Sequence, residues 1–390
     1  MYPTVSDLLH DLLGIRVPLP IQTFGFFVVV AFLGAAYTLM RELKRREELG
    51  WMKGVTESYW VGRPAGTGEL LWNGILGFII GFKLVYALSH WSAFSANPQQ
   101  VLLSVEGNWP GALAFAALFV FLRYRDKKKR RLDPPRQEKR TVMPHQRVGD
   151  FTVLAAIGGL VGAKIFDGLE NWNSYMADPV GSFFSFSGLT FYGGLIVAAI
   201  AIIWYARSKQ ISGWHLVDSA APALMLAYGL GRIGCHMAGD GDWGIENPHP
   251  KPFAGLPDWL WSYTYPHNVN NAGVPIPGCE GPHCFQLPHG VYPTPLYEVI
   301  ACLILFGVLW SIRKKITRPG MMFGIYFIFT GIERFLVETI RVNTRYHFLG
   351  ISPTQAEIIS TLLVISGIGL ILYVRKKHAA LPLIPAKTAG

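Results

Sequence analysis

The stretch from Gly229 to Gly244, GLGRIGCHMAGDGDWG, sets one arginine inside an apolar, glycine-spaced run and follows it with two carboxylates, Asp240 and Asp242. An ionisable side chain is expensive at membrane depth, so Arg232 is a functional-site candidate by default, the alternative being an interfacial arginine that snorkels to the head groups. A second set lies in ERFLVETIR, where Arg334, Glu338 and Arg341 are spaced four and three residues apart and share one helix face. Ion pairing within that face is a sufficient reason for Glu338. Two further segments bring polar groups to the edge of an apolar run: Tyr192 with the paired glycines Gly193 and Gly194, and Tyr297 with Glu298. Arginines beside glycines that let backbone or ligand approach closely suit recognition of a phosphate, and at that depth the phosphate belongs to a phospholipid head group. A solvated turn is the competing reading for Asp240 and Asp242.

These groups need a scaffold, and composition names its class. Hydrophobic residues make up 51% of the 390 positions, charged residues only 15%, and mean hydropathy is +0.30. Such a chain reads as an all-α, polytopic membrane bundle. Nine apolar segments approach the ~20 residues that cross a bilayer as helix: 23–40, 70–88, 108–124, 151–169, 188–205, 216–235, 295–312, 321–340 and 358–374. Threaded alternately, they gather the basic clusters 41–46, 123–147, 207–209, 313–318 and 375–377 on one side. The opposite loops, 89–107, 170–187 and 236–294, contain only Lys251. The positive-inside rule makes the basic side cytoplasmic, with the N-terminus outside and the C-terminus inside. The net charge of +10 is then explained by anionic lipid, without nucleic acid. No cleavable signal peptide is expected, because RELKRREE follows the first apolar run. Leu8, Leu9, Leu12 and Leu13 suit a short helix lying on the outer surface.

In this threading Tyr192, Arg232, Tyr297, Glu298, Arg334, Glu338 and Arg341 all reach one membrane level, the outer one. Cys279 and Cys284, in CEGPHC of the long outer loop 236–294, read as a small disulfide-closed loop. A zinc site using His267, His283 and His289 is the alternative, with spacing that fits no standard metal motif. Cys302, mid-span, reads as core.

The chain also repeats itself. GFIIGFKLVYALSHW from Gly77 aligns with GGLVGAKIFDGLENW from Gly158, 81 positions on, and Pro98 with Pro179 and Gly107 with Gly188 keep that offset. A two-helix unit at 70–125 is expected to recur at 151–206 within a single 1–390 transmembrane domain. Only the second copy has the tyrosine with paired glycines, which makes it the functional one. Lys83 and Lys164 occupy equivalent positions and read as structural.

Four segments in order resemble the prolipoprotein diacylglyceryl transferase family. GRIGCHMAGDGDWG is similar to its pattern Gly-Arg-x-Gly-Asn-Phe-x-Asn-x-Glu-x-x-Gly, LTFYGGLI to its Phe-His-Gly-Gly segment, YPTPLYE to His-Pro-Ser-Gln-Leu-Tyr-Glu, and ERFLVETIR to Arg-Phe-x-x-Glu-x-x-Arg. The resemblance implies transfer of a diacylglyceryl group from phosphatidylglycerol to the lipobox cysteine thiol of secreted prolipoproteins. A thioether forms and glycerol phosphate leaves. It implies no cofactor and no metal, and a site at the outer leaflet of a bacterial cytoplasmic membrane. By motif position Arg232, Arg334 and Arg341 match family arginines. Tyr192 stands where the family has histidine, Cys235 where it has asparagine, and the carboxylate segment is one residue longer, so Asp240 or Asp242 corresponds to its glutamate.

The base is therefore open: tyrosine, at pKa about 10, is poorly matched to neutral pH, which leaves Tyr192 to orient lipid or donate a hydrogen bond. His236 is a candidate, with a solvated, roleless histidine as the alternative. An anion transporter or a non-catalytic membrane paralogue is the competing functional class. A transporter requires a polar path to the cytoplasmic side, and 197–204 and 303–310 offer almost no ionisable residue.

Overall fold

The computed structural model describes residues 1–15, 21–96, 98–184, 190–343, 346 and 352–381. A short helix α1 (Val5–Leu13) precedes the long α2 (Thr23–Glu48). Strand β1 (Val55–Val61) leads into α3 (Thr67–Ser89), the short α4 (Trp91–Ala96) and α5 (Pro98–Leu103), and α6 (Trp109–Lys129). Strand β2 (Arg136–Val142) leads into α7 (Val148–Glu170), the short α8 (Trp172–Ala177) and α9 (Pro179–Phe184), and α10 (Phe191–Ser208). Then come α11 (Gly213–Ala238), α12 (Asp258–Trp261), β3 (Val274–Pro275), β4 (Phe285–Gln286), α13 (Thr294–Ile312), α14 (Met321–Glu338) and α15 (Gln355–Lys377).

Helix dominates, and among the described residues six segments are long and apolar enough to cross a membrane: α2, α3, α7 with its preceding turn, α10, α13 and α15. The three other expected spans fall on α6, α11 and α14. These are comparably long helices, but α6 ends in RYRDKKK, α11 carries Asp218 and Arg232, and α14 carries Glu333, Arg334 and Glu338. The all-α expectation needs one amendment, since β1 and β2 pair antiparallel with Val55 opposite Val142, and β3 pairs with β4. Long charged side chains cover the ribbon: Glu57, opposite Arg140, binds Arg147 at 2.7 Å and Lys209 at 2.9 Å.

Long helices pack in pairs, α3 on α6, α7 on α10, α2 and α13 on α11, and α14 on α15. Close approach depends on missing side chains. A Cβ at Gly81 would collide with the Gly111 carbonyl and one at Gly162 with that of Gly193, the small-residue contact that membrane helices use. The two pairs also share their loop contacts. Lys83 Nζ donates to the Val101 carbonyl at 3.2 Å and Lys164 Nζ to that of Ser182 at 3.2 Å, each 18 residues on. Asn108 N–H bonds the Phe82 carbonyl at 2.9 Å, while Thr190 N–H bonds that of Ala163 at 3.2 Å. Gly188 and Leu189, of the repeat and the LTFYGG segment, lie outside the described residues.

Helix α1 falls where the short leucine-faced helix is expected. Thr4 and Asp7 form its capping box, Gly14 ends it at φ +69°, and Leu12 and Leu13 are exposed. The Met1 amino group anchors the start on the Pro266 carbonyl at 2.7 Å. Two apolar clusters fill the bundle. Leu43, Val148, Phe151, Ala206 and Leu216 gather at the basic end. Ala221, Met225, Cys302, Leu309 and Met322 fill the space between α11, α13 and α14, so Cys302 is indeed core. The basic end contains a buried ionic network that the sequence reading did not foresee. Glu42 and Arg46, each 1% exposed, pair at 3.0 Å, and Arg46 reaches Asp218 at 3.5 Å. Asp218 accepts from the Gly320 and Phe323 amides at 2.8 and 2.9 Å, which fixes the start of α14. Cys279 and Cys284 are joined as a disulfide, with His267 Nδ1 turned to the His283 carbonyl at 2.9 Å.

Candidate active site

Helix α11 presents Tyr228 and Arg232 on one face, four residues apart, with the guanidinium 5.4 Å from the Tyr228 ring centre. Gly239, at φ +65°, ends the helix, and the turn that follows brings Asp242 back onto Arg232. Thr294 Oγ1 donates to the Asp242 carbonyl at 2.7 Å, so the start of α13 fixes this turn. From α13 comes Glu298, fully buried, and three arginines share its carboxylate. Arg232 Nε lies 2.9 Å from one oxygen, while Arg334 Nη1 at 3.1 Å and Arg341 Nη1 at 3.6 Å approach the other. The Tyr228 hydroxyl donates to that second oxygen at 3.0 Å.

Helix α14 closes the set. Arg334 Nη2 pairs with Glu338 at 2.7 Å, and Asn343 Nδ2 donates to Glu338 at 2.6 Å. Arg341 also grips Asp242. Its backbone is held by the signature loop, because Gly244 bridges to Arg341 and the Ile245 amide donates to the Ile340 carbonyl at 2.9 Å. Three guanidinium groups thus meet three carboxylates, Asp242, Glu298 and Glu338. Such a cluster is neutral as a whole and rich in forked N–H donors, which match phosphate oxygens.

The expected site residues therefore divide. Arg232, Asp242, Glu298, Arg334, Glu338 and Arg341 come together, and half-buried Tyr192 faces them, within electrostatic reach of Arg334, Glu338 and Arg232. Gly193 and Gly194 pack closely on α7. A Cβ at Gly193 would strike Phe166 and one at Gly194 would lie 2.7 Å from the Gly159 carbonyl, so their bareness serves the contact with α7. The Tyr297 hydroxyl donates to the Leu260 carbonyl at 2.9 Å, tying α13 to the loop at α12. His236 turns to an aromatic cap, its Nδ1 3.3 Å from the Tyr265 hydroxyl. Tyr228, Thr294 and Asn343 escaped the sequence reading. Only Tyr228 left a signal, one turn before Arg232 on the same face.

Cys235, Asp240 and Asp242 bring ligand atoms within 4.8 Å of one another, but Arg232 and Arg341 already hold Asp242, a poor setting for a cation. Cys235 Sγ lies 3.7 Å from Arg232 Nη1. Burial and then neighbouring Asp242 push the Asp240 carboxyl above its usual value. Burial acts the same way on Asp242, but Arg232 and Arg341 outweigh it and hold that carboxyl below the usual range. The stability consequences have opposite signs. Asp242 contributes stability above its unfolded pKa of about 3.9 that is lost as pH falls through the lower folded value. Ionised Asp240 costs stability once pH rises above that same unfolded value. In detergent at pH 7, Asp242→Asn is expected to lose about 1.5–3 kcal/mol, the range for hydrogen bonds to charged groups, and Asp240→Asn to lose nothing. The Asp242→Asn deficit shrinks only as pH falls below about 3.9 toward the lower folded value; thermal unfolding at pH 7 and at pH values below about 3.9 checks this, and equal losses in the two variants contradict it.

The family model described as prolipoprotein diacylglyceryl transferase matches residues 108–373. Among curated relatives, the phosphatidylglycerol–prolipoprotein diacylglyceryl transferase of Chlorobaculum tepidum is 26% identical over 314 residues, covering 74% of this chain and 93% of the relative. Its namesake in Enterococcus faecalis is 28% identical over 255 residues, covering 62% and 80%. That of Chromohalobacter salexigens is 29% identical over 238 residues, covering 59% and 77%. The matched span contains every residue of the guanidinium–carboxylate cluster, and on that match this chain belongs to the prolipoprotein diacylglyceryl transferase family.

Proposed function

We propose that the chain transfers a diacylglyceryl group from phosphatidylglycerol to the thiol of a prolipoprotein lipobox cysteine. The observation that carries this reading is Glu298 shared by Arg232, Arg334 and Arg341, which holds three phosphate-matched forks ready at one end of the bundle. In the reaction the sulfur attacks a glycerol carbon and the carbon–oxygen bond to phosphate breaks. The electron pair leaves with glycerol phosphate, and the thiol proton passes to a base or to solvent. Arg232 and Arg334 stabilise the charge that builds on the departing phosphate and favour thiolate nearby. They do not act as bases, because guanidinium stays protonated. Tyr192 orients the lipid. Glu338, Asp242 and Arg341 set the positions of the two arginines. Asp240, beside Cys235, and His236, at the Tyr265 cap, are the two candidate proton acceptors of the outer turn.

The same reading gives a bacterial cytoplasmic membrane protein of nine spans, N-terminus outside, with the site at the outer leaflet. Basic residues at one end of the bundle and a disulfide in the loop 236–294 support it. The helix pairs α3–α6 and α7–α10 are read as a duplication, supported by their equivalent lysine-to-carbonyl bonds. A transporter is disfavoured because the apolar cluster around Met225, Cys302 and Met322 separates the arginine layer from the Glu42–Arg46–Asp218 network.

Purified protein in phosphatidylglycerol nanodiscs should transfer radiolabelled lipid to a lipobox peptide. Arg232→Lys and Arg334→Lys, which keep charge and lose the fork, are each expected to lower transfer about 10²-fold or more while still inserting. No transfer by the intact enzyme overturns the function, and near-normal transfer by either variant overturns the arginine roles. Topology is tested by cysteines at Val105, which is 95% exposed, at Asn270 and at Lys128. The native cysteines are quiet, two being bonded and two buried. An impermeant thiol reagent outside intact cells should label the first two positions only, and labelling at Lys128 contradicts the nine-span arrangement.

A further inference from the structure

Helix α14 brings a fourth acid to the cluster, Glu333, and the three guanidinium groups are already matched by Asp242, Glu298 and Glu338. Glu333 is 5% exposed, and among the described residues neither of its carboxylate oxygens has a hydrogen-bond partner. The charged and titratable groups around it are Tyr228 and Arg232 of α11, Glu298 and Cys302 of α13, and Tyr326 and Arg334 of its own helix. From α15, the remaining neighbour, Ser360 and Val364 pack on this stretch at Gly331, and neither titrates.

Among the described residues, an ionised Glu333 would be a buried anion with no cation left to match it, a costly arrangement in an apolar span. It would also repel Glu298 and draw Arg232 and Arg334 toward itself. The neutral acid has the opposite effect, because it has a proton to donate. Tyr228 donates its own hydroxyl hydrogen to Glu298 at 3.0 Å, so its oxygen keeps acceptor capacity, and Tyr228 lies within interaction range of Glu333. We propose that Glu333 is a positioning residue that works as an uncharged carboxylic acid, supporting Tyr228 and through it Glu298, so that Arg232 and Arg334 stay poised for the phosphate. Ionising it weakens the grip on the anionic head group, and lipid affinity falls as pH rises.

The proposal rests on the transferase reading for its kinetic arm only. In phosphatidylglycerol nanodiscs, infrared spectra of the full chain at pH 7 should contain a protonated-carboxyl stretch that disappears in Glu333→Gln. In the transfer assay the wild type should show KM for phosphatidylglycerol rising on the alkaline side with kcat little changed. Glu333→Gln, neutral at every pH, should keep the neutral-pH rate within about threefold and lose that alkaline rise, whereas Glu333→Ala, with no hydrogen bond to give, should fall about tenfold, the usual weight of one such bond. Identical infrared spectra overturn the proposal. So does an alkaline rise that persists in Glu333→Gln, or a Gln variant as damaged as Ala. A wild type that transfers no lipid defeats the functional reading instead, and the infrared comparison still decides the state of Glu333.

Discussion

One carboxylate holds the guanidinium cluster together. Glu298 is fully buried, and its two oxygens meet Arg232 from α11, Arg334 from α14, Arg341 from just beyond α14 and the hydroxyl of Tyr228. A carboxylate removed from water is tolerated only when its charge is answered, so Glu298 obliges three segments distant in sequence to converge. The convergence fixes where the guanidinium forks point. Asp242 and Glu338 then balance the remaining charge and tie the signature loop and the end of α14 into the same unit.

Scaffold and site obey different rules. The helix pairs close by omission of side chains, as at Gly81 and Gly162, where dispersion and packing rather than water exclusion hold membrane helices together. Gly193 and Gly194 make the same kind of close contact with α7. At the basic end the order reverses, with Glu42, Arg46 and Asp218 buried and paired. The bundle is thus pinned by ionic contacts at both ends, with an apolar layer between them.

Much of this was legible in the sequence because it follows from local rules. Apolar run lengths located the helices, and four-residue spacing placed Arg334 and Glu338 on one face, where they pair. The motif order carried the family. What stayed hidden depends on tertiary contact. Glu298 read as one polar residue among several, since nothing local reveals that three arginines share it. RELKRREE read only as a basic cluster on the cytoplasmic side, and the approach of α11 with Asp218 accompanies the burial of Glu42 and Arg46. The β1–β2 ribbon joins segments separated by about 75 residues in a chain otherwise built from helices, with no hairpin turn to announce it. His236 adjoins the signature segment in sequence, but its ring turns to Tyr263 and Tyr265.

The central claim is that the guanidinium groups held by Glu298 form the receptor for the lipid phosphate. The most direct measurement is a cryo-electron microscopy structure of the protein with bound phosphatidylglycerol in nanodiscs. The account predicts phosphate density within about 3 Å of guanidinium nitrogens of Arg232 and Arg334, with Glu298 still between them. Head-group density elsewhere, with those arginines engaged only by their carboxylates, would contradict it.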